Sequence, residues 1–357
     1  MAGLLDGMRV LDFSVWRPMP HATQILADLG AEVLKVEPPG GDPMRAYPDI
    51  FASVARGKRS IVLNLRSADG RARALALAGD ADVVCEGWRP GVAERLGVDH
   101  ATVVAVNPAV IYCSVSGYGQ SGPMRDRPGH DVNFQALGGA LAARLTDDAA
   151  PRIPRLPVAD LESGTLSALL ICAAWARRAH TGLGERIDVA MADVVAWWVG
   201  AHDPPASGAT GSPGYGLFRT RDDRWLALGV LSEARLWEAT CRALDLDHLA
   251  ATTFEERLAR TDEVNQVLTD RIAQLDRNDA LGRLVDHGAP VSPVLSAAET
   301  SHDPHFRARA LHVETIAGPV AALPALLASG GRVVPTALPA IDQHPEGWAL
   351  RDGTVRD

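Results

Sequence analysis

The sequence predicts an α/β protein with a doubly wound parallel sheet and a second, smaller α+β domain. Three observations lead there. Strand-like and helix-like segments alternate from residue 8 to residue 191. The strands are continuously apolar, so both faces of their sheet need covering, which crossover helices supply. The length, 357 residues, makes two domains at about 150 residues each.

The elements follow in order. MRVLDFS (8–14) is a β-rich run, and PHATQILADLG after it is a helix with Ile25, Leu26 and Leu29 on one face and Gly30 at its end. AEVLKVE (31–37) and SIVLNL (60–65) are the next strands. Ser67 is placed to cap an Ala/Leu-rich helix that reaches Ala78. ADVVCEG, two short helices at PGVAERLG and HATVVAVN, and the strand AVIYCSVSG continue the alternation. Residues 131–144 and 161–179 read as helices, ERIDVAM (185–191) as a strand and ADVVAWWVGA as a further helix. From Asp203 to Tyr215 the chain becomes DPPASGATGSPGY, a linker. Beyond it FRTRDDRWLALGV reads as a hairpin, 233–244, 263–275 and 278–287 as helices, PVSPVLS as a strand and HFRARAL as a helix. A tail rich in Pro, Ala and Gly closes the chain.

Apolar residues make up 47% and charged residues 22%, which suits a large core and excludes a disordered chain. Lys plus Arg is 35 against 44 Asp plus Glu, a net charge of −9. That balance excludes a nucleic-acid binder of the usual basic kind, but not one anionic ligand held by a local basic patch. Cys85, Cys113, Cys172 and Cys241 stand apart in apolar runs with no CxxC pair, as buried thiols in a reducing compartment do. No secretory pattern opens the chain, and the longest nearly apolar stretch, 166–176, is shorter than the roughly 20 residues that cross a bilayer. HDPH (302–305) offers two histidines without further ligand spacing, so no metal is expected. The expectation is a cytoplasmic protein without membrane contact.

Gly117, Gly119 and Gly122 in SGYGQSG have the G-x-G-x-x-G spacing after a strand. A dinucleotide fingerprint must open a helix, however, and here Pro123 and MRDRPGH follow. The loop can still bring backbone N–H groups close to a ligand. Basic residues gather in three places: Arg56, Lys58 and Arg59 in ARGKRS; Arg89 and Arg95 in WRPGVAERLG; and Arg125 and Arg127 in MRDRPGH. Lone surface cations are the usual fate of Lys and Arg. These clusters instead flank strand ends of one sheet, where α/β proteins bind ligands. His130 follows in PGHDVNF beside Asp131, and Asp160 opens a largely apolar helix in PVADLESG. Either aspartate could serve as a helix cap.

PHATQILADLGAEVLKVE, RGKRSIVLNL, EGWRPGVAERLG, SGYGQSGP, PGHDVNF, VADLESG and TGLGERIDVAM, in that order, resemble the family III CoA-transferase and α-methylacyl-CoA racemase superfamily (CaiB/BaiF-like). The resemblance runs from about residue 5 to residue 312. It implies a large Rossmann-like domain over 1–200 and 316–357, a linker over 201–216 and a small domain over 217–315. It also implies an interlocked homodimer and an acyl-CoA thioester substrate, with no cofactor beyond the CoA moiety. CoA contacts would fall on Arg56, Lys58, Arg59, Arg89, Arg95, Gly117, Tyr118, Gly119, Gly129 and Asp131. Racemases of the superfamily carry an extra basic residue where this chain has Pro38 and Pro39.

The resemblance also implies the chemistry. The shared aspartate falls on Asp160. In transferases it is a nucleophile that forms an acyl anhydride and then an aspartyl-CoA thioester. In racemases it is one of two acid/base groups flanking the α-carbon, the other being a histidine in a GHD motif, here His130, where typical transferases have tyrosine. A small-domain glutamate that orients that histidine falls on Glu233 when Trp237 is aligned with the family's aromatic. A backbone N–H near the start of the helix after Asp160 would stabilise the enolate oxygen. The first reading is therefore a racemase of 2-methylacyl-CoA thioesters using His130 and Asp160. A CoA-transferase with Asp160 as nucleophile is the alternative, and a catalytically silent CoA-binding paralogue the third.

Overall fold

The computed structural model describes residues 3–141, 153–200, 212–324 and 335–349. The chain divides into two units, Met1–Gly200 with Pro304–Asp357, and Ala201–Asp303. The expected return to the large unit, at 316, would cut between β10 (His312–Thr315) and β11 (Gly318–Ala321), which pair antiparallel. The observed return at Pro304 keeps that hairpin whole. Most of the expected linker, 201–211, lies outside the described residues, as do 142–144 of the helix expected over 131–144.

The large unit holds a six-stranded parallel sheet in the order β3-β2-β1-β4-β5-β6. Its strands are β1 (Arg9–Asp12), β2 (Glu32–Glu37), β3 (Arg59–Val62), β4 (Val83–Glu86), β5 (Ile111–Ser116) and β6 (Glu185–Ala190). All residues of β4 and β5 are buried, as continuous apolar runs require in a doubly covered sheet. The strand order reverses between β1 and β4, so the loops after those two strands part and leave a crevice at their carboxyl ends. That crevice is where the functional residues gather.

One face is covered by α1 (Pro18–Asp28) and by the 24-residue α7 (Val158–Thr181). Gly164 permits the close approach of these helices, since a Cβ there would lie 2.4 Å from the carbonyl oxygen of Pro18. The contact fixes the first turn of α7 beside the start of α1. By length and composition α7 could cross a bilayer, and the apolar stretch read at 166–176 is only its middle. Here Ala159, Ala168, Ile171 and Ala174 from α7 join the core beneath the sheet. On the opposite face, α3 (Ala68–Gly79) begins at Ser67, whose hydroxyl accepts the Gly70 N–H at 3.0 Å as expected.

Two elements went unseen in a proline-rich stretch. A 3-10 turn at Pro43–Ala46 and α2 (Pro48–Ala55) each start on a proline, the position where a missing N–H costs a helix nothing. Met44, Phe51, Val54 and Ala55 bury their side chains in a satellite core.

The Pro-rich tail runs along the edge strand β3. The backbone N–H of His344 donates to Ser60 O at 2.8 Å, and the Val62 N–H donates to Asp342 at 2.8 Å. Trp348 is 2% exposed and donates its indole N–H to Leu77 O at 3.1 Å. An edge that would otherwise offer unpaired backbone groups is thereby covered.

The second unit has a three-stranded antiparallel sheet of β7 (Tyr215–Arg219), β8 (Trp225–Gly229) and β9 (Val291–Pro293). Helices Ala234–Ala243, Thr261–Ile272 and Arg277–Asp286 pack their apolar residues with it around Trp237. The Arg257 guanidinium is buried 4.5 Å from the Trp237 ring centroid and donates to Pro213 O and Leu231 O.

Candidate active site

A cleft of about 950 Å³ opens at the crevice in the large unit. Its walls come from the loops after β1 and β4, the glycine loop after β5, the start of α6 (Asp131–Leu137), the first turn of α7, and the proline-rich stretch through Met44, Tyr47 and Ile50. His130, Asp131 and Asp160 all line it, so residues 29 and 30 positions apart in sequence meet at one surface.

Asp160 stands in the first turn of α7, and Pro157, not Asp160, occupies the N-cap position. Its backbone N–H donates to the Asp131 carboxylate at 3.1 Å. Asp131 in turn accepts the Gln135 side-chain amide. Asp131 therefore joins α6 to α7 rather than capping a helix. Burial pushes the Asp160 carboxyl up to about 6; the Asp131 carboxylate adds to the rise and the positive charge of Arg17 opposes it. The N–H groups of Asp160 and Leu161 are already taken, by Asp131 and by Pro157 O, so neither is a spare donor for an oxyanion.

His130 is the N-cap residue of α6, exposed to the cleft, with its backbone N–H donating to Asn133 Oδ1 at 3.0 Å. Glu233 belongs to the second unit. It is exposed at the start of helix Ala234–Ala243 and accepts the Leu231 N–H at 3.2 Å.

The glycine loop packs around one ring. A Cβ on Gly117 would lie 2.5 Å from Phe134 and one on Gly129 would lie 2.6 Å from it. Tyr118 meets the same ring edge-on at 5.2 Å. Gly117 and Gly129 also line the cleft, while Gly119 turns the chain at φ +84.

A second cleft, of about 730 Å³, adjoins the first and shares Val15 and Trp88 with it. Phe13, Val36, Leu63 and Trp88 supply apolar walls, and Arg66 and Arg95 supply charge. Pro38 and Pro39 line it in place of a cation.

The ARGKRS cluster requires a correction. Arg56 is 1% exposed and pairs with both carboxylate oxygens of Asp28 at 3.2 Å. Lys58 is fully buried, donating to Thr23 Oγ1 at 2.6 Å, Pro20 O at 3.0 Å and Asp12 at 3.3 Å. Arg59 donates to Gly347 O at 2.8 Å and to Glu346, in the tail. These three cations neutralise buried or neighbouring carboxylates and hold α1, β3 and the tail together; they do not face either cleft. Arg89 lines the larger cleft and Arg95 the smaller.

Sequence reasoning passed over Arg17, Trp16 and Arg66. Arg17 and Trp16 lie in the loop after the first strand, and the neighbouring strand β4 lies across the reversal of strand order. A loop at that topological position is the available signal.

The comparisons with known proteins agree with this architecture. The model of CoA-transferase family III matches residues 5–345. The chain is 31% identical to the succinyl-CoA–L-malate CoA-transferase alpha subunit of Chloroflexus aurantiacus, over 96% of this chain and 83% of that one. It is 32% identical to the acetyl-CoA:oxalate CoA-transferase of Acetobacter aceti, over 88% and 86%. Among solved structures, a CaiB/BaiF family protein from Brucella suis superimposes with a TM-score of 0.87 at 27% identity, covering 97% of this chain and 98% of that one. A protein of M. tuberculosis superimposes with a TM-score of 0.85 at 30% identity and the same coverage. The chain belongs to CoA-transferase family III.

Proposed function

We propose that the protein transfers CoA between carboxylic acids, with Asp160 as the group that takes up the acyl chain. The observation that carries this reading is a half-buried aspartate lining the larger of two adjoining clefts, in a chain of this family. The smaller cleft would take the nucleotide, with Arg95 and Arg66 near its phosphates, and the thioester arm would pass Val15 and Trp88 to Asp160.

In this reading the Asp160 carboxylate attacks the thioester carbonyl, the C–S bond breaks, and CoA leaves as a thiolate. The thiolate attacks the aspartyl carbonyl of the anhydride, releasing the donor acid and leaving an aspartyl-CoA thioester. The acceptor carboxylate then attacks that thioester, and the freed thiolate collects the acceptor acyl group, restoring Asp160.

His130 favours a second reading. An imidazole and a carboxyl on one cleft can remove an α-proton and return it on the other face, which is the racemase chemistry expected from the sequence. Either reaction would run in a cytoplasmic homodimer; the exposed Trp197 and Trp198 on α8 (Met191–Val199) support the dimer.

One experiment separates the readings. The protein is incubated with a 2-methylacyl-CoA and a free acid in deuterated water, with hydroxylamine as a trap. Acyl transfer with Asp160 recovered as its hydroxamate, and no deuterium at the α-carbon, supports the transferase. Deuterium uptake without an acceptor acid, lost in His130→Ala, overturns it in favour of the racemase.

A further inference from the structure

One buried hydroxyl stands apart on the wall of the cleft that holds Asp160. Ser116 is 3% exposed at the carboxyl end of β5, and its Oγ has no hydrogen-bond partner. Among the described residues it is the only such hydroxyl, and the only buried, unpartnered side-chain atom from a residue that lines either cleft. Other buried hydroxyls are served: Ser163 and Ser167 donate to the carbonyls of Ala159 and Ser163, and Thr23 donates to Asp12. Leaving a hydroxyl dry and unpaired is unfavourable, and an alanine in its place would avoid that cost.

The topology explains why this hydroxyl is unpaired. β4 and β5 run parallel, and Glu86, the last residue of β4, stands opposite Ser114. Side chains two apart on a strand share a face, so Ser114 and Ser116 point the same way. The Ser114 hydroxyl donates to the Glu86 carboxylate. Two residues on, β4 has ended and the chain leaves the sheet through Gly87 and Trp88, both on the cleft wall, so no residue of β4 pairs with Ser116. On its other side Ser116 pairs with Ala190, whose methyl offers no polar atom. The hydroxyl therefore stands on the Trp88 side of the larger cleft, where the smaller cleft adjoins it.

We propose that Ser116 is a catalytic residue whose hydroxyl donates a hydrogen bond to the carbonyl oxygen of the bound acyl thioester. The inference rests on the CoA-thioester reading of this cleft. As the Asp160 carboxylate forms its bond to the carbonyl carbon, the C=O π pair moves onto that oxygen. When the pair returns, the C–S bond breaks and the thiolate leaves. The hydroxyl keeps its proton throughout and meets the charge on oxygen with its hydrogen. Removal of an α-proton would put charge on the same oxygen, so the role of Ser116 is common to both reactions. It supplies the donor that the Asp160 and Leu161 N–H groups, already taken, do not. A hydroxyl hydrogen also rotates about its C–O bond, and so follows the oxygen as the carbonyl carbon changes geometry.

The test uses the full chain with a 2-methylacyl-CoA and a free acid for turnover, and free CoA for binding. Turnover is read as acyl transfer or as deuterium exchange, whichever the wild type performs. Ser116→Ala is expected to lower kcat by about 10²-fold, the scale of one lost oxyanion donor. The Kd of free CoA, measured by calorimetry, should stay within about twofold, and Tm should not fall, since no bond within the fold is lost. Ser116→Thr, which keeps the hydroxyl, is expected to recover part of kcat. A kcat for Ser116→Ala close to that of the wild type overturns the role. So does a CoA affinity that falls in step with kcat, which puts the hydroxyl on the pantetheine arm, or a lowered Tm, which gives it a structural partner. A wild type that neither binds CoA nor turns over the thioester overturns the CoA reading itself.

Discussion

The backbone N–H of Asp160 donates to the side chain of Asp131 at 3.1 Å, joining the first turn of α7 to the start of α6. Two acidic residues are thereby held together although like charges repel. Burial and the neighbouring carboxylate both favour the protonated form of Asp160, which is why its pKa rises to about 6. A carboxyl poised there changes charge within reach of physiological pH.

If Asp160 acts as nucleophile, kcat/KM falls below about pH 6, where its carboxyl becomes protonated. Asp131→Asn keeps an acceptor for the Asp160 N–H and removes the adjacent negative charge. The acidic limb should move to lower pH, read in the pH profile of kcat/KM. A limb that stays in place would separate Asp160 from the rate.

Asp160→Asn should abolish CoA transfer, by about 10³-fold or more for removal of a covalent nucleophile. The same change should stabilise the fold at neutral pH. Because its folded pKa is raised, Asp160 contributes stability that is full below the unfolded value of 3.8 and lost as pH rises through about 6. Discounted for water in the open cleft, the gain is about 1 kcal/mol. Thermal melts at pH 5 and pH 8 check the sign.

Glu86, 3% exposed at the end of β4, follows the same rule further up the scale. Burial raises its pKa to about 7, against hydrogen bonds from Ser114 and the Trp88 N–H. Glu86→Gln should therefore raise stability at pH 8 by about 2 kcal/mol and much less at pH 5. Denaturant titrations at the two pH values measure the difference.

Lys58→Met should destabilise the fold by roughly 3–5 kcal/mol, because it strands the buried Asp12 carboxylate. Lys58 faces neither cleft, so CoA should bind the remaining folded protein as before. Arg95→Ala should leave the melting temperature within about 2 °C and weaken CoA binding by roughly tenfold, the scale of one phosphate contact. Chemical denaturation and calorimetry on both variants distinguish the two kinds of basic residue.

Gly164→Ala should force α7 away from α1, since the new Cβ would lie 2.4 Å from Pro18 O and backbone cannot step aside. Overpacking of this kind costs about 1–3 kcal/mol. Activity should fall further than stability alone explains, because Asp160 rides on the displaced turn. A melt and a kcat measurement on the folded fraction test this.

The sequence by itself determined the parallel α/β sheet, its six strands and the family, because continuous apolar runs, caps and ordered motifs are local signals. It also singled out His130, Asp131 and Asp160, which do line one cleft. Only the tertiary structure decided what each charge is for. Arg56, Lys58 and Arg59 look like a phosphate site in one dimension, yet their partners Asp28, Asp12 and Glu346 lie 28, 46 and 287 positions away. The sign and spacing of charges are written along the chain; whether a cation is neutralised or left open depends on what folding brings within about 3 Å of it.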